Sequence, residues 1–587
     1  MPKKNEGNIM AEVLFITPNI HGALKEEPLG TMLLATILRK RGVSVDVLQF
    51  YHFGDAEKFE AFLENATTQI LEKQPKIVSF YTRCDTYHVT LKLAQQIKAQ
   101  RSDIWVVFGG PQSDITALDT VREIPYVDFV CCGEGETTVY PLFSSLIEGE
   151  PDLTVPGLVY RKDGEVVCNP RPQLIEDLDT LPEIDYSLLQ YTNAHFLGGV
   201  DMFPIDVGRG CPFGCTYCST KTFWGRKYRL KSPQRIADEV RSIHERFGFT
   251  SFLFEHDMFT MRRKQVVETC KLLKQLDFPV TWRCSARLDC LDEELIDIMV
   301  DAGLQSLFIG IETGSARMQK LINKNLKLEH VDPMLSYILS KGLRVTASFI
   351  YGFPEETEED AAQTAAMVAR LEKLPGVDLQ THLCTFLPGT ELSSRYMHEM
   401  TASEGYSDIV RDVALSHCKD LVEQHPVIFQ HLLEYKTPLR TKLQHLSVFF
   451  QMWTHTKPVY RYIYERYPED GALEMYYDFA ADNAKILAQT AHLPTSQQLA
   501  SLLKEDNFIK RFENDENYDI IQDIRRFKLA QTSEEVAKGG TVTDLYCFSP
   551  RDLERCARLQ DMKRGRYIVS CTGRPNGGVK VEIFRRG

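Results

Sequence analysis

Three cysteines in one short stretch constrain this chain more than any other feature. The run is Gly210-Cys211-Pro212-Phe213-Gly214-Cys215-Thr216-Tyr217-Cys218, with the spacing CxxxCxxC. Thiolates this close must share one site, and soft sulfur ligands suit iron–sulfur clusters and soft metals. A structural zinc site would be closed by a fourth Cys or His nearby, and the next cysteine, Cys270, lies far downstream. A four-iron cubane held by three cysteines keeps one iron open, and an open iron can hold and reduce a substrate. Three buried thiols packing as small apolar groups would not require this spacing with Gly, Pro and an aromatic residue between them.

The motif resembles the signature of the radical SAM superfamily. That resemblance implies that Cys211, Cys215 and Cys218 hold a [4Fe–4S] cluster and act in catalysis. It implies that Tyr217 lies against the adenine of S-adenosylmethionine, whose amino and carboxylate groups chelate the open iron. Reduction would cleave the sulfonium to a 5′-deoxyadenosyl radical, with the electron supplied by an external donor of flavodoxin or ferredoxin type. In such enzymes the cofactors carry the chemistry, and the protein orients and shields them.

At 587 residues the chain is too long for one core, and two to four domains are expected. Its composition, 43% hydrophobic and 25% charged, is that of a folded globular protein. A net charge of −13, with no basic block denser than pieces such as Arg262-Arg263-Lys264, argues against a nucleic-acid partner. Fifteen cysteines in a chain this long, three of them clustered, read as reduced thiols in a cytoplasmic protein. No apolar run reaches the roughly 18 residues of a membrane span, and no signal-peptide stretch follows Met1.

The fold class is α/β. Residues 1–148 are expected to form a doubly wound, Rossmann-like domain. Its strands fall at 11–17, 43–49, 76–80, 105–108 and 127–131, with a helix over 29–41 ended by Gly42. Alternation of strand and helix patterns predicts five parallel strands. Open sheets of this kind bind ligands at the carboxyl edge. Pro18, Asn19, Ser79, Tyr81, Gly109, Gly110, Gly133, Glu134, Gly135 and Glu136 are its candidates, together with Gly30 at the start of the first helix. A connector follows over 149–200, with a hairpin signal at Lys162-Asp163-Gly164.

Residues 201–390 carry strand patterns at 203–207, 250–255, 280–285, 306–311, 345–351 and 378–385, separated by helices such as 232–247 and 292–302. Six βα units suit a partial (β/α)6 TIM-like barrel, with its chemistry at the carboxyl ends of the strands. The cysteine loop follows the first of them. Residues 391–587 read as a mostly helical, aromatic-rich domain to about 535 and then a short β tail, with a role in substrate specificity expected. Cys547, Cys556 and Cys571 are too far apart for an obvious second cluster.

Other barrel strand ends carry further resemblances. Gly310-Ile311-Glu312-Thr313-Gly314-Ser315 resembles a Gly-Ile-Glu-Ser-Gly segment common in radical SAM proteins, which makes Glu312 a candidate S-adenosylmethionine contact. Ser348-Phe349-Ile350-Tyr351-Gly352-Phe353-Pro354-Glu355 resembles GxIxGxxE, with Ser348 in place of the first glycine, and adds Ser348 and Glu355. Ser285 and Arg287 end the third strand as polar candidates, and His256, between Glu255 and Asp257, is a candidate for ribose or the reaction chamber.

Residues 11–148 resemble the cobalamin-binding domain that precedes many radical SAM barrels. The matching pieces are Pro28-Leu29-Gly30, Val107-Phe108-Gly109-Gly110-Pro111 and the run from Asp128 to Glu136. No DxHxxG occurs in the first 150 residues, so either the cobalt lacks a histidine ligand or no cobalamin binds. The resemblance, over residues 11–390, implies a cobalamin-dependent radical SAM C-methyltransferase. One S-adenosylmethionine would methylate the cobalamin. A second would give the radical that takes hydrogen from an unactivated carbon, which then takes methyl from methylcobalamin. The edge of the first sheet must then face the barrel mouth. Relatives that use both cofactors for cyclisation, ring contraction or rearrangement set the alternative, and the substrate is a small molecule or a peptide.

Overall fold

The computed structural model describes residues 11–19, 28–51, 58–188, 202–402, 417–488, 501–502, 504–515, 518–531, 541–548, 564–573 and 579–585. They fall into two compact units. The first comprises residues 1–286, 294–305 and 385–435; the second comprises 287–293, 306–384 and 436–587.

The first unit opens with β1 (Val13–Asn19), β2 (Val45–Tyr51), β3 (Ile77–Tyr81), β4 (Trp105–Gly109) and β5 (Phe129–Cys131). They lie in the order β2-β1-β3-β4-β5, all parallel. A parallel sheet is covered on both faces and needs continuous apolar strands, as β1 shows. Leu14 and Ile16 enter one core with Phe59, Leu63 and Ile97, and Val13 and Phe15 enter another with Leu33, Leu38 and Phe143. The hairpin inside the expected connector does more than link domains. Its strands β6 (Leu158–Lys162) and β7 (Glu165–Cys168) extend the same sheet antiparallel beside β5, giving seven strands instead of five. Asp163 (φ 53°) and Gly164 (φ 85°) form its left-handed turn, and Leu158, Val159 and Tyr160 are buried in the two cores.

Six βα units follow. The first unit holds β8 (Phe203–Asp206), β9 (Ser251–Glu255) and β10 (Thr281–Ala286), with β9 parallel to both neighbours. The second holds most of β11 (Leu304–Glu312), then β12 (Arg344–Tyr351) and β13 (Val377–Leu383), with β12 parallel to both. This is the alternation of a partial (β/α)6 barrel. Local chemistry sets its helices. In Pro233–Phe247, Ser232 caps the amino end by accepting from the Arg235 N–H, Pro233 sits in the first turn, and Gly248 ends the helix at φ 77°.

The compact units cut across the expected domain of 391–587. Cys418, Leu421, Val422, Ile428, Phe429 and Leu432 join the core of the first sheet, and Gln112 Nε2 donates to the Ile428 carbonyl at 2.7 Å. The rest is helical, including Pro438–Leu443, Leu446–His455, Lys457–Tyr464, Ala472–Asp482 and Tyr518–Gln531. Phe449, Trp453, Tyr460 and Phe479 form its aromatic centre. An antiparallel sheet of β14 (Thr541–Phe548), β15 (Arg564–Gly573) and β16 (Val579–Arg585) follows. Cys571 is buried in it; the Cys547 side chain and Cys556 lie outside the described residues. No described helix is long and apolar enough to cross a membrane.

Candidate active site

The cysteine loop leaves β8 and is held at both ends by one carboxylate. Asp257 Oδ2 accepts from the Gly210 N–H at 2.9 Å, and its Oδ1 accepts from the Thr220 hydroxyl at 3.0 Å. Gly210 takes φ 86°, and a Cβ there would lie 2.0 Å from the Lys227 carbonyl oxygen, so only glycine fits. The Cys218 N–H donates to the Cys215 carbonyl at 3.3 Å, and the Leu392 N–H to that of Thr216 at 2.9 Å. Burial pushes the Cys211 thiol up to about 11, with Cys218, Asp257 and Cys215 adding to the rise. Burial, Cys215 and Asp257 raise Cys218 as well. Among the described residues no three such side chains are already gathered closely enough to hold a metal, so the loop would have to draw its cysteines together, and Cys211 and Cys218 to release their protons, on loading.

Directly before the loop, Gly208 and Arg209 form a two-residue antiparallel ribbon with Arg229 and Leu230, in which Arg209 lies opposite Arg229. Two arginines facing across a ribbon repel. Glu134 lies between them. Its Oε1 accepts from Arg209 Nη1 at 2.6 Å, and both its oxygens accept from Arg229 Nη1 at 2.9 Å. The Ile175 N–H donates to it at 2.6 Å. Glu136 accepts from Arg209 Nη2 at 2.5 Å. Trp224 packs beneath both guanidinium groups, 5.9 and 5.4 Å from the ring centre. Burial alone would raise the Glu134 carboxyl, but Arg229, the Ile175 N–H and Arg209 outweigh it and hold it below the usual range. Glu134 and Glu136, two of the expected cofactor contacts, line the cavity described below and also pair with these arginines.

A cavity of 870 Å³ opens within the first unit. On one side it is lined by the carboxyl edge of the first sheet, including Gly30, Ser79, Tyr81, Gly109, Gly110, Gly133, Glu134, Gly135 and Glu136. On the other it is lined by Asp206, Gly208, Arg209, Ser219, Thr220 and Trp224, with Glu255, His256 and Asp257 from the end of β9. The two edges that must meet for shared chemistry therefore face one space. A Cβ built at Gly30 or Gly109 meets nothing within 4 Å, so a side chain there would stand in the cavity. Gly110, at φ 101°, would press a Cβ to 2.9 Å from Thr82 and Tyr81. The size and the glycine-floored wall fit a large flat cofactor. Pro18 is not among the lining residues, and the Asn19 side chain lies outside the described residues.

His256 is buried beside this cavity with both ring nitrogens engaged. Nδ1 accepts from the Met258 N–H at 2.7 Å, and Nε2 faces the Arg229 carbonyl at 3.3 Å. The accepting role of Nδ1 places the proton on Nε2, and burial lowers the ring's pKa despite Asp257. It ties the end of β9 to the ribbon and lines the cavity.

In the second unit, Glu312 is a non-glycine residue at φ 73° whose carboxylate accepts from Lys324 Nζ at 2.9 Å. Arg287 pairs with Asp289 at 2.8 Å and donates to the Lys324 carbonyl at 2.8 Å. Lys324 thus joins these two candidates. Ser348 lies in register with Gly310 and Gln380. Glu355 is half-buried, whereas its neighbour Glu356 is buried. Burial pushes the Glu356 carboxyl up to about 8, one oxygen accepts from the Gly352 N–H, and the other has no partner among the described residues. Arg440, from the helix Pro438–Leu443, donates to the Gly352 and Cys384 carbonyls at 2.5 and 2.8 Å, at the ends of β12 and β13. Glu356 and Arg440 carried no motif; the only sequence signal was a second glutamate beside the expected one.

Residues 205–368 match the radical SAM superfamily, and residues 19–142 match the B12 binding domain. The chain is 28% identical to an uncharacterized methyltransferase of Pyrococcus horikoshii over 65% of its length and 82% of that protein's. It is also 28% identical to the anaerobic magnesium-protoporphyrin IX monomethyl ester cyclase of Rubrivivax gelatinosus, over 60% of this chain and 65% of that one. Among solved structures, the cobalamin-dependent S-adenosylmethionine radical enzyme OxsB with aqua-cobalamin bound shares the fold. Its TM-score is 0.60 at 15% identity, over 89% of this chain and 84% of that chain.

Proposed function

The chain belongs to the cobalamin-binding branch of the radical SAM superfamily, and on that footing we propose that it is a C-methyltransferase acting on an unactivated carbon. The observation that supports this most is the single cavity lined by both the first sheet's edge and the ribbon before the cysteine loop. When bound, the cluster, S-adenosylmethionine and cobalamin supply a reductively generated carbon radical and a transferable methyl group. An unactivated carbon has no lone pair with which to attack a methyl cation, so a radical route is the one open to it.

The residues divide by task. Cys211, Cys215 and Cys218 would hold the cluster, with Tyr217 beside it for the adenine. Ser285, Arg287, Glu312, Ser348 and Glu355 offer the acceptors, the hydroxyls and the cation that ribose, ammonium and carboxylate groups need. Gly30, Ser79, Tyr81, Gly109, Gly110, Gly133 and Gly135 would receive the corrinoid and its nucleotide tail. Apolar wall residues such as Phe15, Leu34, Val107 and Phe143 exclude water from that end. The electron donor is of ferredoxin or flavodoxin type, and the substrate is a small molecule or a peptide. The methyltransferase name of the Pyrococcus relative supports methyl transfer; the cyclase name of the Rubrivivax relative marks the competing outcome.

Anaerobic reconstitution with iron, sulfide and hydroxocobalamin tests the reading. The expected result is about four irons and one cobalt per chain, with both S-adenosylhomocysteine and 5′-deoxyadenosine formed on reduction and a product heavier by one CH2. Four irons without cobalt, or a product lighter by hydrogen, would overturn methyl transfer. Replacing Cys211, Cys215 and Cys218 together by Ala is expected to abolish iron loading and S-adenosylmethionine cleavage while cobalt still binds. Undiminished function in that variant would point to a non-catalytic protein.

A further inference from the structure

We propose that Arg209 is a positioning residue that fixes the separation between the cluster and the corrinoid; this rests on the cofactor assignment above. Within the first unit, Arg209 carries contacts from one site to the other. Its guanidinium reaches Glu134 at 2.6 Å and Glu136 at 2.5 Å, on the glycine loop that lines the cavity beyond β5. Its backbone stands between Gly208 and Gly210, two residues before Cys211.

Both flanking glycines let the backbone pack too closely for any side chain. A Cβ at Gly208 would lie 2.4 Å from the Arg229 carbonyl oxygen, and one at Gly210 would lie 2.0 Å from that of Lys227. Asp257 then takes up the Gly210 N–H, so the direction in which the loop departs is set one residue after Arg209. The side chains of Arg209 and Glu134 are 10% and 1% exposed. In that setting a charge pair is weakly screened, directional, and costly to leave half-made. A loop anchored only by apolar packing could pivot. One anchored by a forked guanidinium to two carboxylates on the loop that follows β5 has a fixed reach.

Methyl and hydrogen transfer to and from one substrate carbon demand that reach, because small misplacements of reacting groups carry large rate penalties. Arg209 acts on the reaction through the position of Cys211, without touching the reacting atoms.

The test is a distance. Protein loaded with iron, sulfide and hydroxocobalamin is reduced to the paramagnetic cluster and cob(II)alamin, and pulsed EPR reads the dipolar coupling between them in wild type, Arg209→Met, Arg209→Lys and Glu136→Gln. Failure of wild type to load both metals would fail the cofactor assignment itself, and is seen before any variant is compared. With wild type loaded, a narrow distance distribution is expected. Arg209→Met is expected to shift or broaden it at unchanged iron and cobalt content, Glu136→Gln to broaden it less, and Arg209→Lys to restore it in part. Should Arg209→Met not fold, Glu136→Gln, which keeps shape and removes one charge, decides by the same criterion. Wild-type distributions in the loaded variants would overturn the proposal, as would metal loss with no change in distance among the molecules that retain both.

Discussion

Glu134, in the first unit, and Glu356, in the second, are both buried glutamates, and they are held in opposite states. Glu134 is 3% exposed and Glu356 7%. Burial raises both carboxyls. Around Glu134 two guanidinium groups and a backbone N–H outweigh it, and the carboxylate stays ionised. Around Glu356 the Gly352 N–H and the more distant Arg440 do not, Asp360 adds repulsion, and the carboxyl sits at about 8. Depth is therefore a poor guide to the charge of a buried acid; the donors that reach it decide. The first arrangement suits a joint that must not move, and the second a group that keeps a proton at neutral pH.

The sharpest way to break the comparison is to remove the Glu134 charge. Glu134→Gln leaves Arg209 and Arg229 facing each other, almost fully buried, and removes the one carboxylate that pairs with both. A loss of about 3–5 kcal/mol in the stability of the metal-free protein is expected, the size found when one partner of a buried pair is deleted. Adding Arg229→Met should recover part of that loss, since the repulsion goes with it. Equal stability of Glu134→Gln and wild type in denaturant titration would show that the pair carries no weight. The pH dependence has a definite sign. A carboxyl lowered in the fold stabilises above its unfolded range, and that contribution fades as pH falls through the lowered value.

Much of this was legible in the chain itself, and the reason is locality. Strands such as Val13-Leu14-Phe15-Ile16, the Asp163-Gly164 turn and the cysteine spacing each declare themselves within a few residues. The glycines of the first sheet's edge did so as well, because a turn or a close approach needs glycine at that position. Glu134 and Glu136 could only be marked as polar groups in a glycine loop. Their partners are 75, 73 and 95 residues away, and nothing in a linear pattern says that Arg209 and Arg229 will lie opposite each other. The burial of Glu356, one position beyond the expected Glu355, carried no signal of its own. The GxIxGxxE pattern points to Glu355, but the turn after Gly352, at φ 77°, brings the next carboxyl under the Gly352 N–H. The packing of residues 417–435 on the first core was hidden for a similar reason: Cys418, Leu421, Phe429 and Leu432 are too sparse to read as a core face until the surface they cover exists.

A smaller effect of opposite sign is expected at Glu356. Its folded value of about 8 stands above the ordinary 4.5. Between those values the unfolded chain loses the proton and the folded chain keeps it, so stability falls as pH rises through the window and levels off above it. Glu356→Gln removes that slope. The variant should match wild type near pH 4.5 and exceed it increasingly toward pH 8, in thermal unfolding at a series of pH values. A difference that stayed constant with pH would mean that the carboxyl is ionised in the fold, and the contrast with Glu134 would collapse.

Asp257 supplies a third case and the smallest effect. It is exposed, and its two oxygens meet neutral donors, the Gly210 N–H and the Thr220 hydroxyl. Asp257→Asn retains one acceptor oxygen and should cost no more than about 1 kcal/mol of stability, the net worth of one hydrogen bond. Because that bond sits at the first residue of the cysteine loop, the same variant should load iron more slowly under reconstitution while its unfolding midpoint barely moves. If the midpoint instead drops as far as in Glu134→Gln, the loop end is bearing structural load that the geometry assigns to the Arg209 ribbon, and the ranking of the three carboxylates by their partners is wrong.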